Sequence, residues 1–374
     1  MDFKYKNLGT EKSYDFSADS NIVDIFLHNH EDIFKSLKKN TKKINNASNL
    51  LFQTYTNGGR IFFVGAGTSG RLGVVEAAEM PPTFGVNPND FIGLIAGGNR
   101  ALVKAVEGAE DQSKLAIQDL KKHNFKSRDL LIAISASGTS EYVLSAIRKT
   151  SKAKAKSIFL TCNKIKNKIS DIDIVLNVGP EVIAGSTRLK SGTVTKIALN
   201  IITTSAMMKA NHTLNGLMID IKPTTKKLKA RSVNNLSQLL NLPDSKCEKL
   251  LRNSNWNIRV AIIMSKMNLK YIEAKRISKK INIKDLLNCK LYEVALGDKL
   301  GNVSMECASH SGTYHIKDTN GSISLKTLDS FEFDSVDIIK IDAEGYEVPV
   351  LQGARNTIIK NKPWIQIEGN KSGA

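Results

Sequence analysis

Five short apolar runs, at residues 61–64, 91–96, 129–134, 156–161 and 172–178, recur along the chain with helical patterns between them. Glycine and asparagine fall between the runs, as turns joining strands to helices require. Each run is a strand candidate, and those at 61–64 and 129–134 read as strands buried on both faces of a parallel sheet. Residues 21–55 carry a helical pattern ahead of the first strand. The stretch from Ser191 to Met208, rich in Ala, Ile and Leu, predicts a long apolar helix after the last, serving as core or subunit contact. Strands alternating with helices predict an α/β fold with a parallel sheet. There is no internal repeat and no low-complexity tract.

The first strand, Arg60-Ile-Phe-Phe-Val64, runs into Gly65-Ala-Gly-Thr-Ser-Gly-Arg-Leu-Gly73 and then Glu76-Ala-Ala-Glu79-Met-Pro-Pro-Thr-Phe-Gly85. Gly65, Gly67 and Gly70 let the backbone turn tightly and approach an anion. The Thr68 and Ser69 hydroxyls, with the free N–H groups opening the next helix, offer hydrogen bonds to phosphate oxygens. These glycines also fit the G-x-G-x-x-G of dinucleotide folds. About 20 residues on, however, where such folds carry an acidic ribose ligand, the chain reads Pro81-Pro82-Thr83-Phe84-Gly85. A nicotinamide cofactor is therefore not expected. A second turn, Ser135-Ala-Ser137-Gly138-Thr139-Ser140, follows the third strand and precedes a helical stretch from Glu141 to Lys149. Serine capping of a helix accounts for either turn alone. Two hydroxyl-rich turns at the carboxyl edge of one sheet point instead to a bound phosphate.

Gly65 to Gly85, Gly93-Leu-Ile-Ala-Gly-Gly98, Ala105-Val-Glu-Gly-Ala-Glu-Asp111 and Gly179-Pro-Glu-Val-Ile-Ala-Gly-Ser-Thr-Arg-Leu-Lys190 resemble the N-acetylmuramic acid 6-phosphate etherase family. The resemblance runs from about Leu8 to about Leu287 and takes in Asn215-Gly-Leu-Met-Ile-Asp220. It implies a sugar isomerase (SIS) fold, a doubly wound parallel sheet with helices on both faces, preceded by N-terminal helices and followed by a small helical region. The expected domains are 1–220, the catalytic SIS domain, and 221–288, the helical region. It also implies a homodimer and cleavage of the D-lactyl ether of a phosphorylated amino sugar. In the open-chain aldehyde the carbonyl acidifies the proton on carbon 2. A base removes it, an acid protonates the departing lactate oxygen, and water then adds to carbon 3. That route needs carboxyl groups and neither a metal nor a cofactor.

By resemblance Glu79 is the proton donor and Glu110 the second catalytic glutamate. Gly67, Thr68, Ser69, Gly70, Ser135, Ser137, Gly138, Thr139, Ser186 and Arg188 are expected to bind the sugar phosphate, with Lys190 a further cation nearby. Spacing alone does not select these glutamates, because Glu76, Glu107 and Glu181 lie in the same motifs. Glu79 has one separate argument. Pro81-Pro82 is expected to end the helix just after it, placing its carboxyl near a helix C-terminus, where the macrodipole disfavours negative charge and raises the pKa. The chain departs from the family pattern at Met80, at Thr139-Ser140-Glu141 and at Lys12-Ser13-Tyr14. Glu141 would repel a phosphate unless its side chain points away.

Cys289 to Ala374 is the third expected domain. Leu291-Tyr-Glu-Val-Ala-Leu-Gly-Asp298, Val336-Asp-Ile-Ile-Lys-Ile-Asp-Ala-Glu-Gly-Tyr-Glu347 and Lys362-Pro-Trp-Ile-Gln-Ile-Glu368, within about 290–369, resemble the middle of an FkbM-type methyltransferase. Strands at 336–341 and 364–367 with a helix from Glu347 to Ile359 predict a βαβ unit. Asp342 and Glu344 match that family's motif. The strand and glycine-rich loop that would hold S-adenosylmethionine should precede Leu291, where the helical region lies, so methyl transfer is not expected.

Charge marks the same seam. The chain carries +18 overall, yet residues 289–374 hold 9 Lys and Arg against 12 Asp and Glu. A positive field attracts anionic substrate, but the spread of the lysines favours general compositional bias as the cause of the charge. Lysine is spread with Ile and Asn rather than clustered, aromatics make up only 6%, and no nucleic-acid module is present, so nucleic acid is not an expected partner. Met1-Asp-Phe-Lys-Tyr-Lys lacks the apolar core of a secretory signal, and no apolar run approaches the roughly 20 residues of a membrane span. A cytoplasmic location with no membrane partner is expected. Cys162, Cys247, Cys289 and Cys307 show no metal spacing and should be free thiols there. The competing class is a regulator that binds sugar phosphates without turnover, as glucokinase regulatory protein does on the same fold.

Overall fold

The computed structural model describes residues 21–278, 280–290, 292–307, 314–343 and 345–367. Lys12-Ser13-Tyr14, Glu344 and Glu368 lie outside the described residues. The chain divides into two compact units, Met1–Asn288 and Cys289–Ala374.

Three helices open the first unit: α1 (Ile22–His30), α2 (Asp32–Lys39) and α3 (Thr41–Thr56). Then come β1 (Ile61–Gly65), α4 (Gly67–Phe84), β2 (Phe91–Ile95), α5 (Arg100–Val103), a 3₁₀ turn at Ala109–Asp111, α6 (Ser113–Lys122), β3 (Leu130–Ile134), α7 (Glu141–Lys152), β4 (Lys156–Thr161), β5 (Ile172–Val175) and α8 (Lys190–Lys209). The strands form one parallel sheet in the order β2-β1-β3-β4-β5. This is the doubly wound arrangement of the SIS fold. Alternate residues divide between its faces, as the period of two demands. Ile61 and Phe63 pack with Ile44 of α3, Met80 of α4 and Leu199 of α8. Phe62 and Val64 pack with Leu120 of α6 and Tyr142 of α7. Every residue of β1 and of β3 is buried, which is why these runs carry no polar alternation.

Proline does not end α4. Pro81 and Pro82 lie inside the helix, which continues to Phe84 and closes on Gly85 in the left-handed conformation. Proline removes the N–H groups that would bond the carbonyls of Ala77 and Ala78, but its fixed φ suits a helix, and the chain follows it for one more turn. The C-terminal pole therefore lies beyond the reach of Glu79, since the dipole effect fades within the last turn. The macrodipole reading of Glu79 is corrected accordingly.

A two-stranded hairpin, β6 (Thr213–Leu214) and β7 (Leu217–Met218), leads into α9 (Lys226–Leu240), α10 (Asp244–Asn253), α11 (Ile258–Met267), α12 (Tyr271–Ile277) and α13 (Ile283–Asn288). Leu236, Leu251, Ile262 and Ala274 form their core. A polar network binds this region to α3. Arg259 of α11 donates to both carboxylate oxygens of Asp220, at 3.1 and 2.7 Å, and to the carbonyl of Asn211. His212 Nδ1 lies 2.9 Å from Asp220, and its Nε2 lies 3.2 Å from the Tyr55 hydroxyl. Burial pushes the Asp220 carboxyl up, but hydrogen bonds from His212 and Arg259 and their charges outweigh it and hold the group below its ordinary value. Burial, with Asp90 and Asp220 nearby, pushes the Tyr55 phenol up to about 12.

In the second unit β8 (Ala295–Leu296), β9 (Gly301–Cys307) and β10 (Tyr314–Lys326) form one sheet, and β11 (Ile338–Ile341) pairs in parallel with β12 (Trp364–Ile367). The connection is two helices, α14 (Glu347–Gln352) and α15 (Arg355–Asn361), where one was expected. The division falls at Gly353. A Cβ there would clash with the Gly297 carbonyl oxygen, so glycine suits this close approach, and the next residue, Ala354, departs from helical geometry at φ −108 and ψ 4. Among the described residues no helix is long and apolar enough to cross a membrane, and Cys162, Cys247 and Cys289 are free thiols.

Candidate active site

Strand register sets the site. Gly65 pairs with Ile95 on one side and with Ile134 on the other, so β1, β2 and β3 end level and their turns open along one edge. Neighbouring strands stand about 4.8 Å apart, which puts the turn at Ala66–Gly70 beside the turn at Ser135–Ser140. The helix after β1 comes very close to its strand. A Cβ on Gly65 would meet the Gly70 nitrogen at 2.6 Å, and one on Gly70 would meet the Gly65 carbonyl oxygen at 2.6 Å. Gly67, with φ +53, supplies the left-handed residue that the turn needs.

Neither α4 nor α7 carries a side-chain cap at its N-terminus. The capping reading of the serine turn is thus not what forms. Ser140 instead donates from Oγ to the Glu110 carbonyl at 3.2 Å, tying the serine turn to the 3₁₀ turn. Ser135 Oγ accepts from the Gly138 N–H at 3.1 Å, and the Ser137 and Thr139 hydroxyls pair at 2.9 Å. The turn is ordered by its own hydroxyls, and two uncapped helix N-termini face the edge, an arrangement suited to an anion. Thr68 reaches α8, since its methyl lies 3.5 Å from where a Cβ on Gly192 would stand. Ser186 is half-buried and Arg188 exposed in the loop before α8.

A cavity of about 200 Å³ lies over this edge, lined by Ala66, Gly67 and Ala96 together with Arg71, Glu107 and Glu110. The five glutamates left unresolved by spacing now separate. Glu76 is buried, accepting from Asn200 Nδ2 at 2.6 Å and Thr203 Oγ1 at 2.5 Å, and burial raises its pKa against those hydrogen bonds. Glu181 is buried and accepts the N–H groups of Lys190 and Ser191, capping α8. Glu107 and Glu110 line the cavity. Glu79 is exposed on α4, 12 residues beyond Gly67 and so about 18 Å along the helix axis at ~1.5 Å per residue. Within one chain α4 carries Glu79 back from the ligand edge, while Glu107 and Glu110 lie on the cavity.

The structure also places Lys190 and Glu141. Lys190 is fully buried, with Nζ 3.5 Å from the Asn29 carbonyl and 3.9 Å from Asp32, so it lies inside the fold and not at the phosphate turn. Burial lowers its pKa against the pull of Asp32 and Glu181. Glu141 is bound by Arg148 at 2.7 Å, which draws its carboxylate along α7 and away from the helix N-terminus. Arg71 was missed. Its signal was an arginine one turn past Gly67 in the glycine-rich motif.

Because Glu76 sits buried with a raised pKa, ionising it costs stability as pH rises from its unfolded value through its folded one. Glu76→Gln is expected to stabilise the protein at pH 7 by up to about 1 kcal/mol. The difference should vanish near pH 4, as paired thermal melts would show.

A parallel sheet in this order, with phosphate-type turns at the ends of β1 and β3, defines an SIS-class protein. Residues 43–151 match the glucokinase regulatory protein N-terminal SIS domain, and residues 141–373 match the methyltransferase FkbM domain. An N-acetylmuramic acid 6-phosphate etherase of Mycoplasma mycoides is 41% identical over 278 residues, 73% of this chain and 92% of that one. One of Clostridium acetobutylicum is 40% identical over 290 residues, 74% and 94% of the two chains. Phosphoheptose isomerase GmhA of Neisseria gonorrhoeae is 20% identical and covers 49% of this chain and 97% of its own, with a TM-score of 0.38. The chain belongs to the N-acetylmuramic acid 6-phosphate etherase family.

Proposed function

We propose that the protein cleaves the D-lactyl ether of N-acetylmuramic acid 6-phosphate, giving N-acetylglucosamine 6-phosphate and D-lactate. The observation that carries this reading is Glu110 on a cavity directly over the uncapped start of α4. The phosphate takes the first-turn N–H groups of α4 with the Thr68 and Ser69 hydroxyls, and the turn from Ser135 through Ser137 and Gly138 to Thr139 closes over it. Ser186 and Arg188 approach from the loop before α8. Glu110 takes the proton from carbon 2, and the carbon 3–oxygen bond breaks. The departing lactate oxygen receives a proton from Glu79, and water adds to carbon 3 of the unsaturated aldehyde.

Glu79 comes from a second copy. Exposed Val75 lies one turn before it on α4, with Ile201 and Met208 exposed on α8. A two-fold axis near Val75 would carry the partner's α4 past in the opposite direction and bring its Glu79 level with Arg71. Cyclic dimers of this kind are the commonest assembly. A cytoplasmic location accompanies the reading, since its substrate is a phosphorylated sugar.

A second reading, a sugar-phosphate sensor without turnover, draws on the match to the regulatory SIS domain. Assaying D-lactate after adding N-acetylmuramic acid 6-phosphate separates them. Release supports the etherase, while binding without release supports the sensor.

We infer that the second unit transfers no methyl group. Open sheets hold such cofactors where the strand order reverses, and among the described residues the two-stranded sheet of β11 and β12 has no such point. Asp342 follows β11 exposed. S-adenosylmethionine is expected to give no binding heat when titrated into the full chain, and a saturable signal would refute this.

A further inference from the structure

Arg71 sits on α4 one turn past Gly67, half-buried, and lines the cavity that holds Glu107 and Glu110. Its Nε donates to the Leu102 carbonyl at 3.2 Å and its Nη2 lies 3.5 Å from that of Lys104. A guanidinium carries five N–H donors, so these two bonds fix the plane of the fork and leave the rest for another acceptor. Among the described residues lining this cavity, Arg71 is the one cation.

The substrate of the etherase reading, on which this inference rests, brings two anions to the site. The phosphate has its own donors in the turns after β1 and β3. The lactyl carboxylate stands two bonds from the ether oxygen, so whichever group works on carbons 2 and 3 must have that carboxylate close by. With Glu110 as that group, the carboxylate enters a small cavity that already holds two glutamates, and repulsion would exclude it without a counter-ion. A planar, anchored guanidinium matches a carboxylate in shape and charge. We propose that Arg71 binds the carboxylate of the 3-O-lactyl group and selects lactyl-bearing sugar phosphates over those without it.

The test compares N-acetylmuramic acid 6-phosphate with the same compound carrying its lactyl group as the amide. Wild type is expected to favour the acid in kcat/KM by on the order of 10- to 100-fold, the worth of a charged hydrogen bond. Arg71→Met should bring that ratio near one by losing activity on the acid alone, and Arg71→Lys should keep part of it. Inhibition by N-acetylglucosamine 6-phosphate, which has no lactyl group, should be unchanged in Arg71→Met and so report an intact fold and phosphate site. Equal losses on acid and amide would make Arg71 a mere anchor for residues 102–104 and overturn the assignment. Weakened inhibition by N-acetylglucosamine 6-phosphate would place Arg71 on the phosphate and overturn it equally. Should wild type release lactate from neither compound, the etherase reading falls, and the same ratio read from calorimetric dissociation constants still decides Arg71.

Discussion

Glu110→Gln is expected to lower D-lactate release by about 10²–10⁴-fold, the usual worth of one general acid or base, with little change in stability. Gln keeps the shape of the side chain and loses its ability to take the proton from carbon 2. Glu110 is exposed at the cavity and its backbone carbonyl, not its side chain, accepts from Ser140, so the turn should survive the change. Glu79→Gln should cost activity on the same scale by withholding the proton from lactate. The two variants together test the geometry. Within one chain Glu79 stands about 18 Å from the start of α4, and in the shared site each reaction centre takes Glu110 from one subunit and Glu79 from the other. Unfolding, mixing and refolding the two inactive variants should then restore roughly a quarter of the wild-type rate, because half the dimers are mixed and each mixed dimer rebuilds one intact centre. Each variant alone stays inactive. No recovery in mixtures shown to contain mixed dimers would refute the shared site.

Asp220→Ala is expected to destabilise the first unit by roughly 1.5–3 kcal/mol, the worth of hydrogen bonds to a charged group at this half-buried ion pair. Arg259 would keep the Asn211 carbonyl but lose both carboxylate bonds, and His212 would lose its orienting partner. That is a large share of the 5–15 kcal/mol that separates folded from unfolded domains. The effect should fall on the docking of α11 against the hairpin and α3, measured as earlier hydrogen exchange in α9–α13 than in the sheet. The pH dependence has a definite sign. The folded Asp220 pKa lies below its unfolded value near 3.9. Its contribution is therefore complete above that value and is lost as pH falls through the folded pKa. Denaturant midpoints of wild type should drop in this acid range more steeply than those of Asp220→Asn.

The strands were legible because buried parallel strands are continuous apolar runs, and the residues of β1 and β3 need satisfy no polar face. Observed strands start and stop within a residue of those runs except β5, which ends at Val175 and not at 178. The end of α4 was misread for a local reason. Pro-Pro usually marks a helix end, but the final turn of α4 packs Phe84 into the core beside Met80, and that burial holds the helix past its missing hydrogen bonds. The helix expected after Glu347 divides where Gly353 comes against the Gly297 carbonyl, a contact more than fifty positions away in the chain.

The glutamates draw the line most sharply. The motifs singled out five of them, and nothing in their spacing could rank them. Tertiary packing did: α8 buries Glu76 and takes Glu181 as its cap, while strand register opens the cavity that Glu107, Glu110 and Arg71 line. The order of apolar runs, the glycines of the first turn and the charge seam at Cys289 belong to the chain itself, since they follow from local residue chemistry. Which carboxylates meet water, which are locked in hydrogen bonds, and how far Glu79 stands from the ligand edge depend on contacts between residues distant in sequence, and only the folded structure decides them.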